Sequence, residues 1–560
     1  MPANRPAEQT PLNDVPPDPH HRNTGQNNGQ PQPHQNNIPR TYKKKANINI
    51  ATLNINGATA PSQNMDLTEK WAMINQTIRK HKIAILALQE THLDERRASD
   101  IHNCFQKSFD LHYSSDLENP RATAGVAFLI NKALIAPKHV KVVTLVPGRA
   151  AILTIEWSDV DRTSFLNIYA PVDRPSQPEF WNKIERRRRR ARIPRPDFVL
   201  GDFNVTEDQI DRSPPHSDDR AATDALRMIK HQWEIQDQWR HTYPNERCFT
   251  YRAQRDDNWI QSRLDRIYSA RRYAPNLFEW NAGPTATPTD HWMVSVKFAP
   301  SDAPDIGNGR WTWPLQSLND ETLIDKVAKR GITLQEKLDN FNPEETNRDE
   351  TNPQRLWDEF KNDIRKIAKT HTNKTKHRTT TMIKNLEKDI KMITANPEFD
   401  TNNDLRAEEA YLENKLAHLL KVLAKNQKAD IKANLAAHGE KLGGIWSAIN
   451  KEKKPRDLIT RLKVPNSNPT RYERTSDRMA ELARNYHDKL QKQDITVQNN
   501  NERTIEIEYA LRDIPAQQKL ENPERSLMNR TATEAHVQQA LKHAKNNTAT
   551  GMDGCPYELC

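Results

Sequence analysis

Cysteine is scarce: Cys104, Cys248, Cys555 and Cys560 are the four in 560 residues, and no CxxC pair occurs. Such scattered thiols exclude a disulfide framework and a zinc knuckle, and they fit a reducing intracellular compartment. Long apolar runs are missing too. No stretch approaches the roughly 20 residues that a spanning helix needs, and the first thirty positions hold no apolar core of a secretion signal. The expectation is therefore no membrane partner. Apolar residues make up only 35% of the chain, below the level of about 45 to 50% in an ordinary soluble domain, so much of the chain is solvated. At roughly 100 to 200 residues per domain, the length implies about three or four units. No fixed-period repeat organises them. Charge, by contrast, is plentiful: 84 Lys and Arg stand against 74 Asp and Glu, for a net +10. That balance favours a polyanionic partner.

The chain divides by composition. Residues 1–45 are rich in Pro, Asn, Gln and His and hold too little apolar surface to offset the entropy of ordering, which predicts a disordered polar tail. Its His20, His21 and His34 read as solvated, and Lys43 to Lys45 form only a weak nuclear address. Residues 46–300 alternate short β-rich runs with helical periodicity. NINIATLNI, IAILAL, AGVAFLI, AAILTIEW, SFLNIYA, FVLGDFN and WMVSVKF are each bounded by polar or turn residues, as strands are. Between the first two, Leu67, Trp71, Ile74 and Ile78 fall on one helical stripe. Strands alternating with helices predict a layered α/β domain.

Residues 301–352, opening with the Pro, Asp and Gly of Ala303 to Arg310, read as a linker. From 353 to 545 strand signals largely vanish. Trp357, Phe360, Ile364 and Ile367 form one stripe, Ile383, Leu386, Ile390 and Ile393 a second, and Leu412, Leu416, Leu419 and Leu423 a third. They predict amphipathic helices, either a basic arm on nucleic acid or the solvated faces of a bundle. Residues 546–560 form a last short segment.

Chemistry-bearing side chains gather at strand ends, where they stop packing and are free to converge on a ligand. Asn54 and Asn56 follow the first strand, Glu90 the second, and Tyr169 ends SFLNIY. Asp202 and Asn204 end FVLGDFN, Asp265 lies in SRLDRIY, and Asp290 with His291 precedes WMVSVKF. Taken singly each is an ordinary turn or surface residue. Together they make the inventory of a metal-assisted phosphodiester hydrolase: a hard cation wants oxygen ligands, an imidazole neutralises phosphoryl charge, and a carboxylate activates water.

In this order, LNING, LQETH, LNIYAP, GDFN, SRLDRIY and TDH resemble the endonuclease/exonuclease/phosphatase superfamily, and within it the apurinic-type endonuclease of LINE-type (non-LTR) retrotransposons. The resemblance spans about Asn47 to Phe298. It implies a four-layered α/β sandwich with the active site at one edge, and magnesium as cofactor, with manganese as a substitute. It also implies that Glu90 binds the metal with help from Asn54, that Asp290 lies close to it, and that Asp202 with Asn204 positions or deprotonates the attacking water. His291, oriented by Asp265, is then implied to hold the scissile phosphate, which Tyr169 contacts. Asn56 stands where many relatives carry aspartate; the retrotransposon branch commonly has asparagine there. Thr289 replaces a common serine and keeps a hydroxyl.

Arg186, Arg187, Arg188, Arg189 and Arg190, flanked by Lys183 and Arg192, read either as a DNA contact or as a solvated helix face. About six phosphate contacts would give a log-log salt slope of about −5. Farther on, HGEKLGGIWSAINKEKKPRDLI, DRMAELARNYHDKLQ and the terminal ATGMDGCPYEL are similar to the connector and opening motif of reverse transcriptases in the same retrotransposon polyproteins. Asp553, Gly554, Pro556 and Glu558 match that opening motif. A polymerase palm does not follow, so reverse transcription is not expected of this chain.

The leading expectation is a magnesium-dependent DNA endonuclease that leaves a 3′-hydroxyl at a retrotransposon target, with element RNA as a further partner and the nucleus as its location. An abasic-site repair endonuclease shares the catalytic set. A small-molecule or lipid phosphoesterase shares the superfold, but the Trp and Cys typical of the inositol phosphatases before the Asp-Arg pair are missing. A non-catalytic nucleic-acid-binding remnant is the remaining alternative.

Overall fold

The computed structural model describes residues 45–58, 67–136, 139–157, 162–255, 258–300, 303–307, 311–314, 317–318, 320–341, 352–374, 378–438, 459–493, 500–519, 521–544 and 555. Strands in chain order are β1 (Ile48–Asn54), β2 (Ile83–Gln89), β3 (Phe109–Ser114), β4 (Val126–Asn131), β5 (Val140–Val146), β6 (Ala150–Glu156), β7 (Arg162–Tyr169) and β8 (Phe198–Asp202). They continue with β9 (Arg212–Ser213), β10 (Ile235–Gln236), β11 (Tyr251–Arg255), β12 (Asn258–Ser262), β13 (Asp265–Ala270), β14 (Leu277–Gly283) and β15 (Met293–Phe298). Helices are α1 (Leu67–Lys80), α2 (Glu95–Phe105), α3 (Gln177–Arg190), α4 (Arg220–Trp233), α5 (Gln238–Thr242), α6 (Glu321–Asp339), α7 (Pro353–Lys374), α8 (Arg378–Thr394) and α9 (Asn403–His438).

Two six-stranded sheets form, in the orders β14-β15-β1-β2-β4-β3 and β10-β13-β8-β7-β6-β5. Each has one parallel pair at its centre, β1 with β2 and β7 with β8. A parallel pair needs a crossover, and α1 and α3 provide it, so both pairs point their C-terminal ends at the same kind of edge. All seven residues of β2 are buried, as a strand covered on both faces requires.

Three apolar clusters fill the layers. Ile50, Ile85 and Phe128 of the first sheet meet Leu153, Phe165, Phe198 and Leu200 of the second in the central layer. Trp71, Ile74 and Ile78 of α1 pack with Leu86 and Leu129 on the outer face of the first sheet. Phe180, Trp181 and Ile184 of α3, with Leu226 and Trp233 of α4, cover the outer face of the second. The result is the expected four-layered sandwich. A polar bridge crosses its central layer: Asn167 of β7 donates to Leu88 O and Ala127 O across the gap and accepts from Gln89 Nε2 at 2.7 Å.

The stretch read as a linker differs from expectation, because it contains α6. Asp320 caps this helix by accepting from Leu323 N, and Leu323 and Val327 bury one turn apart against Ile364 and Ala368 of α7. The Pro and Gly signal ends the preceding segment; two apolar side chains four residues apart suffice to dock the helix behind it. Downstream, α8 and α9 pair through Leu386, Ile390 and Leu416 around Trp292. Beyond residue 458 the described chain is helical apart from the short ribbon Leu462–Lys463 with Tyr472–Glu473. No described helix is long and apolar enough to cross a membrane. The polar tail, the HGEKLGG stretch and the Asp553, Gly554, Pro556 and Glu558 motif lie outside the described residues.

Candidate active site

Both sheets contribute to one edge. Asn54 closes β1 and Glu90 follows β2, the two strands running in parallel register with Asn54 opposite Gln89. Tyr169 closes β7 beside Asp202, the last residue of β8, and Asp265, the first of β13, lies opposite Asp202 on the other side. His291 precedes β15, which runs antiparallel to β1. Thr289 fastens that segment by donating its hydroxyl to Asn54 O at 2.8 Å while accepting from His291 N.

The same local device ends both central strands. Asn56 N donates to Asn54 Oδ1 at 3.0 Å, and Asn204 N donates to Asp202 Oδ1 at 2.9 Å. Asn56 and Asn204 both adopt a left-handed backbone with φ 48, and Glu90 does so with φ 50. Asparagine tolerates that conformation because its amide bonds locally; Glu90 has no such excuse. Strained positions gathered at a cleft are the mark of a site that the rest of the fold holds in place. Gly201 is required one step earlier, since a Cβ at its φ of 144 would stand 1.9 Å from Ile168 O.

Contacts knit the residues together. Asn54 Nδ2 donates to Glu90 Oε1 at 2.8 Å and to Asp202 Oδ2 at 3.0 Å. Asn204 Nδ2 is anchored on Ala170 O, and Asn56 Nδ2 donates to Asp290 Oδ1 at 3.2 Å. Asp265 is fixed through its N–H on Thr250 Oγ1, and its Oδ2 meets His291 Nδ1 at 2.8 Å. Asp202, Asp265 and His291 are all buried and offer ligand atoms within 4.8 Å of one another.

Their electrostatics follow from two carboxylates sharing one imidazole. Burial, and then the neighbouring Asp265 carboxylate, push Asp202 up to about 7. Burial opposes charging His291, but the attraction and hydrogen bond of Asp265 outweigh it, raising the imidazole to about 10. At neutral pH His291 is thus a cation held on Asp265. Burial, and then the charges of Glu90 and Asp202, move the Tyr169 phenol well above its usual range. It is a neutral donor whose partner is Glu90.

Where a metal would fit is decided by that charge. The Asp202, Asp265 and His291 group already contains its cation, and His291 Nδ1 is occupied by Asp265. Glu90, half-buried, with the amide of Asn54 and the exposed Asp290 close by, offers oxygen donors and access for water. Such a set suits a hard divalent ion.

The arginine run is not brought to this cluster. Helix α3 crosses from the end of β7 back to the start of β8, so its last turn leads away from Asp202. Arg186 pairs with Glu179, Arg187 donates to Leu145 O, and Arg188 and Arg189 both engage Glu185. Arg190 is exposed.

Some participants escape motif reading. Lys70 is fully buried and donates to Ile55 O at 2.6 Å and Gly57 O at 2.8 Å, bracing the loop that carries Asn56. Burial lowers its ammonium to about 8, against the pull of Asp290 and Glu90. Tyr251 packs its ring, tilted by 45°, with its centroid 5.0 Å from that of His291, and the Arg149 guanidinium lies 5.1 Å from the Tyr169 ring. Asn167 was within reach of the sequence: it sits two residues before Tyr169, on the same face of one strand.

Residues 51–291 match the sequence model of the Endonuclease/Exonuclease/phosphatase family. Residues 51–291 are thus similar to that family. The Endonuclease/Exonuclease/phosphatase match contains every residue of the cluster described above, from Asn54 to His291. The chain is also similar to the "Transposon TX1 uncharacterized 149 kDa protein" of Xenopus laevis, 26% identical over 285 residues. That alignment takes in 50% of this chain and 20% of the relative, so the chain spans about a fifth of that relative's length. Among solved structures, the "Endonuclease domain of TRAS1, a telomere-specific non-LTR retrotransposon" is 15% identical, with a TM-score of 0.33 over 45% of this chain and 99% of that one. An AP endonuclease from Archaeoglobus fulgidus is 19% identical, with a TM-score of 0.35 over 45% and 99%.

Proposed function

We propose that residues 46–300 form a divalent-metal-dependent DNA endonuclease, which nicks one strand of duplex DNA to leave a 3′-hydroxyl and serves a non-LTR retrotransposon at its target site. The observation that carries this reading is a charged His291 locked on Asp265 beside an Asp202 carboxylate tuned to about 7, both at the edge where the two sheets end. A group that is cationic near neutrality and a base poised near the working pH are what in-line attack of water on a phosphodiester requires.

His291 donates to a non-bridging oxygen of the scissile phosphate and offsets the charge that develops there. Asp202 accepts a proton from the attacking water. Asn204, held on Ala170 O and on Asp202, orients that water with its free amide oxygen. Tyr169, neutral at working pH, donates to a phosphate oxygen when substrate displaces its partner. Water attacks phosphorus, the bond to the 3′-oxygen breaks, and that oxygen takes up a proton to end as the hydroxyl. A divalent ion on Glu90, Asn54 and Asp290 supplies, when bound, neutralisation of phosphoryl charge. Magnesium is the expected ion and manganese its substitute. The arginine run remains a candidate DNA contact away from the reacting centre, and a chromosomal substrate implies a nuclear location.

Incubating supercoiled plasmid with the full chain tests this reading. Open circles should form with magnesium and not with chelator, vanish in Glu90→Ala and His291→Ala, and carry ends that a DNA polymerase extends. Absence of nicking by the folded, magnesium-supplied chain overturns it. Cleavage confined to abasic duplexes transfers the site to repair.

A further inference from the structure

Four consecutive residues tie the α8–α9 hairpin to the catalytic pair. Phe249 stacks on Phe399, just before α9, with ring centroids 6.0 Å apart. Next, Thr250 accepts from Asp265 N and, through its carbonyl, from Trp292 N at 2.7 Å. Tyr251 pairs with His291 in an antiparallel bridge and packs on its ring. Arg252 donates to Glu409 Oε1 of α9 at 2.9 Å, contacts Glu413, and holds its guanidinium 3.9 Å from the Trp292 ring.

The hairpin side of this contact is buried and polar. Glu409 is fully buried, and its second oxygen accepts from Gln261 of β12 at 2.6 Å. Burial, with Glu409 alongside, pushes Glu413 well above the carboxylate range, whereas Arg252 holds Glu409 below it against its own burial. Trp292, the residue after His291, packs half-buried against Leu386, Ile390 and Leu416. Such a contact is an expensive way to glue two units, because apolar residues of like volume hold as well; its return is a single defined geometry.

We propose that the α8–α9 hairpin is a positioning element of the nicking reaction, with Glu409 acting through Arg252 and Trp292 to hold His291 and the β11–β12 ribbon in place. The inference rests on the endonuclease reading. It makes residues far beyond the sandwich part of what sets the turnover rate, and it gives β11 and β12 a rigid support on the side away from the cleft.

The test uses the full chain and compares Glu409→Ala, Glu409→Gln and the exposed neighbour Glu408→Ala in plasmid nicking, alongside DNA binding in chelator. Glu409→Ala should lower kcat about tenfold, the scale of a small misplacement at the reacting centre, with DNA affinity within about twofold. Glu409→Gln should recover to within about threefold, since its amide oxygen still accepts from Arg252. Glu408→Ala should match the unaltered chain. A Glu409→Ala protein that melts earlier yet keeps its kcat is merely less stable, and the proposal is then wrong. Should Glu409→Ala fail to fold, the double variant Arg252→Met with Glu409→Leu decides, because it removes the link between α9 and Trp292 and replaces both partners with apolar side chains: an unchanged kcat overturns the proposal, while a loss with DNA affinity kept supports it. An unaltered chain that does not nick removes the endonuclease reading and this inference with it; an active one indifferent to Glu409 removes this inference alone.

Discussion

Two buried acidic clusters lie close together in the sandwich and are matched to cations in opposite ways. In one, Arg263 grips Asp211 through two bonds of 2.8 and 2.9 Å and Asp237 through a third of 2.6 Å, while Arg240 also reaches Asp211. Burial would raise both carboxyls, but the guanidiniums more than offset it, and Asp211 and Asp237 lie below the usual carboxylate range. In the other, Asp202 and Asp265 share only His291, and Asp202 rises to about 7. Burial is common to both. What separates a structural carboxylate from a reactive one is the number of cations provided for it.

That contrast is broken most sharply at its reactive end. Asp202→Asn should lower nicking by roughly a thousandfold, the range for losing a general base, and yet raise Tm by about 4 °C at pH 8, since a neutral amide replaces an under-matched charge. A plasmid assay and a melting curve on one preparation check both halves; a drop in Tm would remove the distinction. At the structural end, Arg263→Leu strands Asp237 and leaves Asp211 to Arg240, and should cost about 3 to 5 kcal/mol in denaturant unfolding.

The pH dependence should have opposite signs in the two clusters. The folded value of Asp202 is raised, so its contribution to stability is full below its unfolded value near 3.8 and is lost as pH rises through about 7. The folded value of Asp211 is lowered, so its contribution is present above 3.8 and is lost as pH falls through the depressed value. Unfolding at pH 5 and pH 8 should show Asp202→Asn gaining on the unaltered chain as pH rises. Nicking should climb about tenfold per unit below pH 7 and level off above it, as one ionisation of the base demands. A flat profile would mean that Asp202 is not the base. Smallest is Tyr169→Phe, which removes the donor to Glu90 while keeping the ring and should lower kcat by roughly tenfold or less.

The layered fold was legible because β2, β8 and the α1 stripe announce themselves by period and by bounding turns. The convergence of Asn54, Glu90, Asp202, Asp265 and His291 was legible because chemistry-bearing residues at strand ends share an edge once the strands are ordered. Other features have no local signature. Lys70 reads as the polar side of α1, and only tertiary structure supplies the two carbonyls that bury it. Arg252 and Glu409 are 157 residues apart, a distance over which no periodicity carries. Helix α6 was missed because two apolar residues dock it, too few to outweigh the Pro and Gly before it. Arg188 counted as part of a basic face, whereas Glu185 and Ile193 O consume its guanidinium.

The Asn167 bridge has a mechanical consequence. Two sheets in face-to-face contact through apolar side chains have one soft direction, sliding past each other, because dispersion contacts are indifferent to small displacements along the interface. Three directional bonds from one amide, to Leu88 O, Ala127 O and Gln89, act as a rivet against that shear. The cleft needs it, since Asn54 and Glu90 ride on one sheet and Tyr169, Asp202 and Asp265 on the other. Replacing Asn167 by leucine would remove that rivet and leave the pairs inside the cleft, Asn54 with Asp202 and His291 with Asp265, to carry the shear themselves.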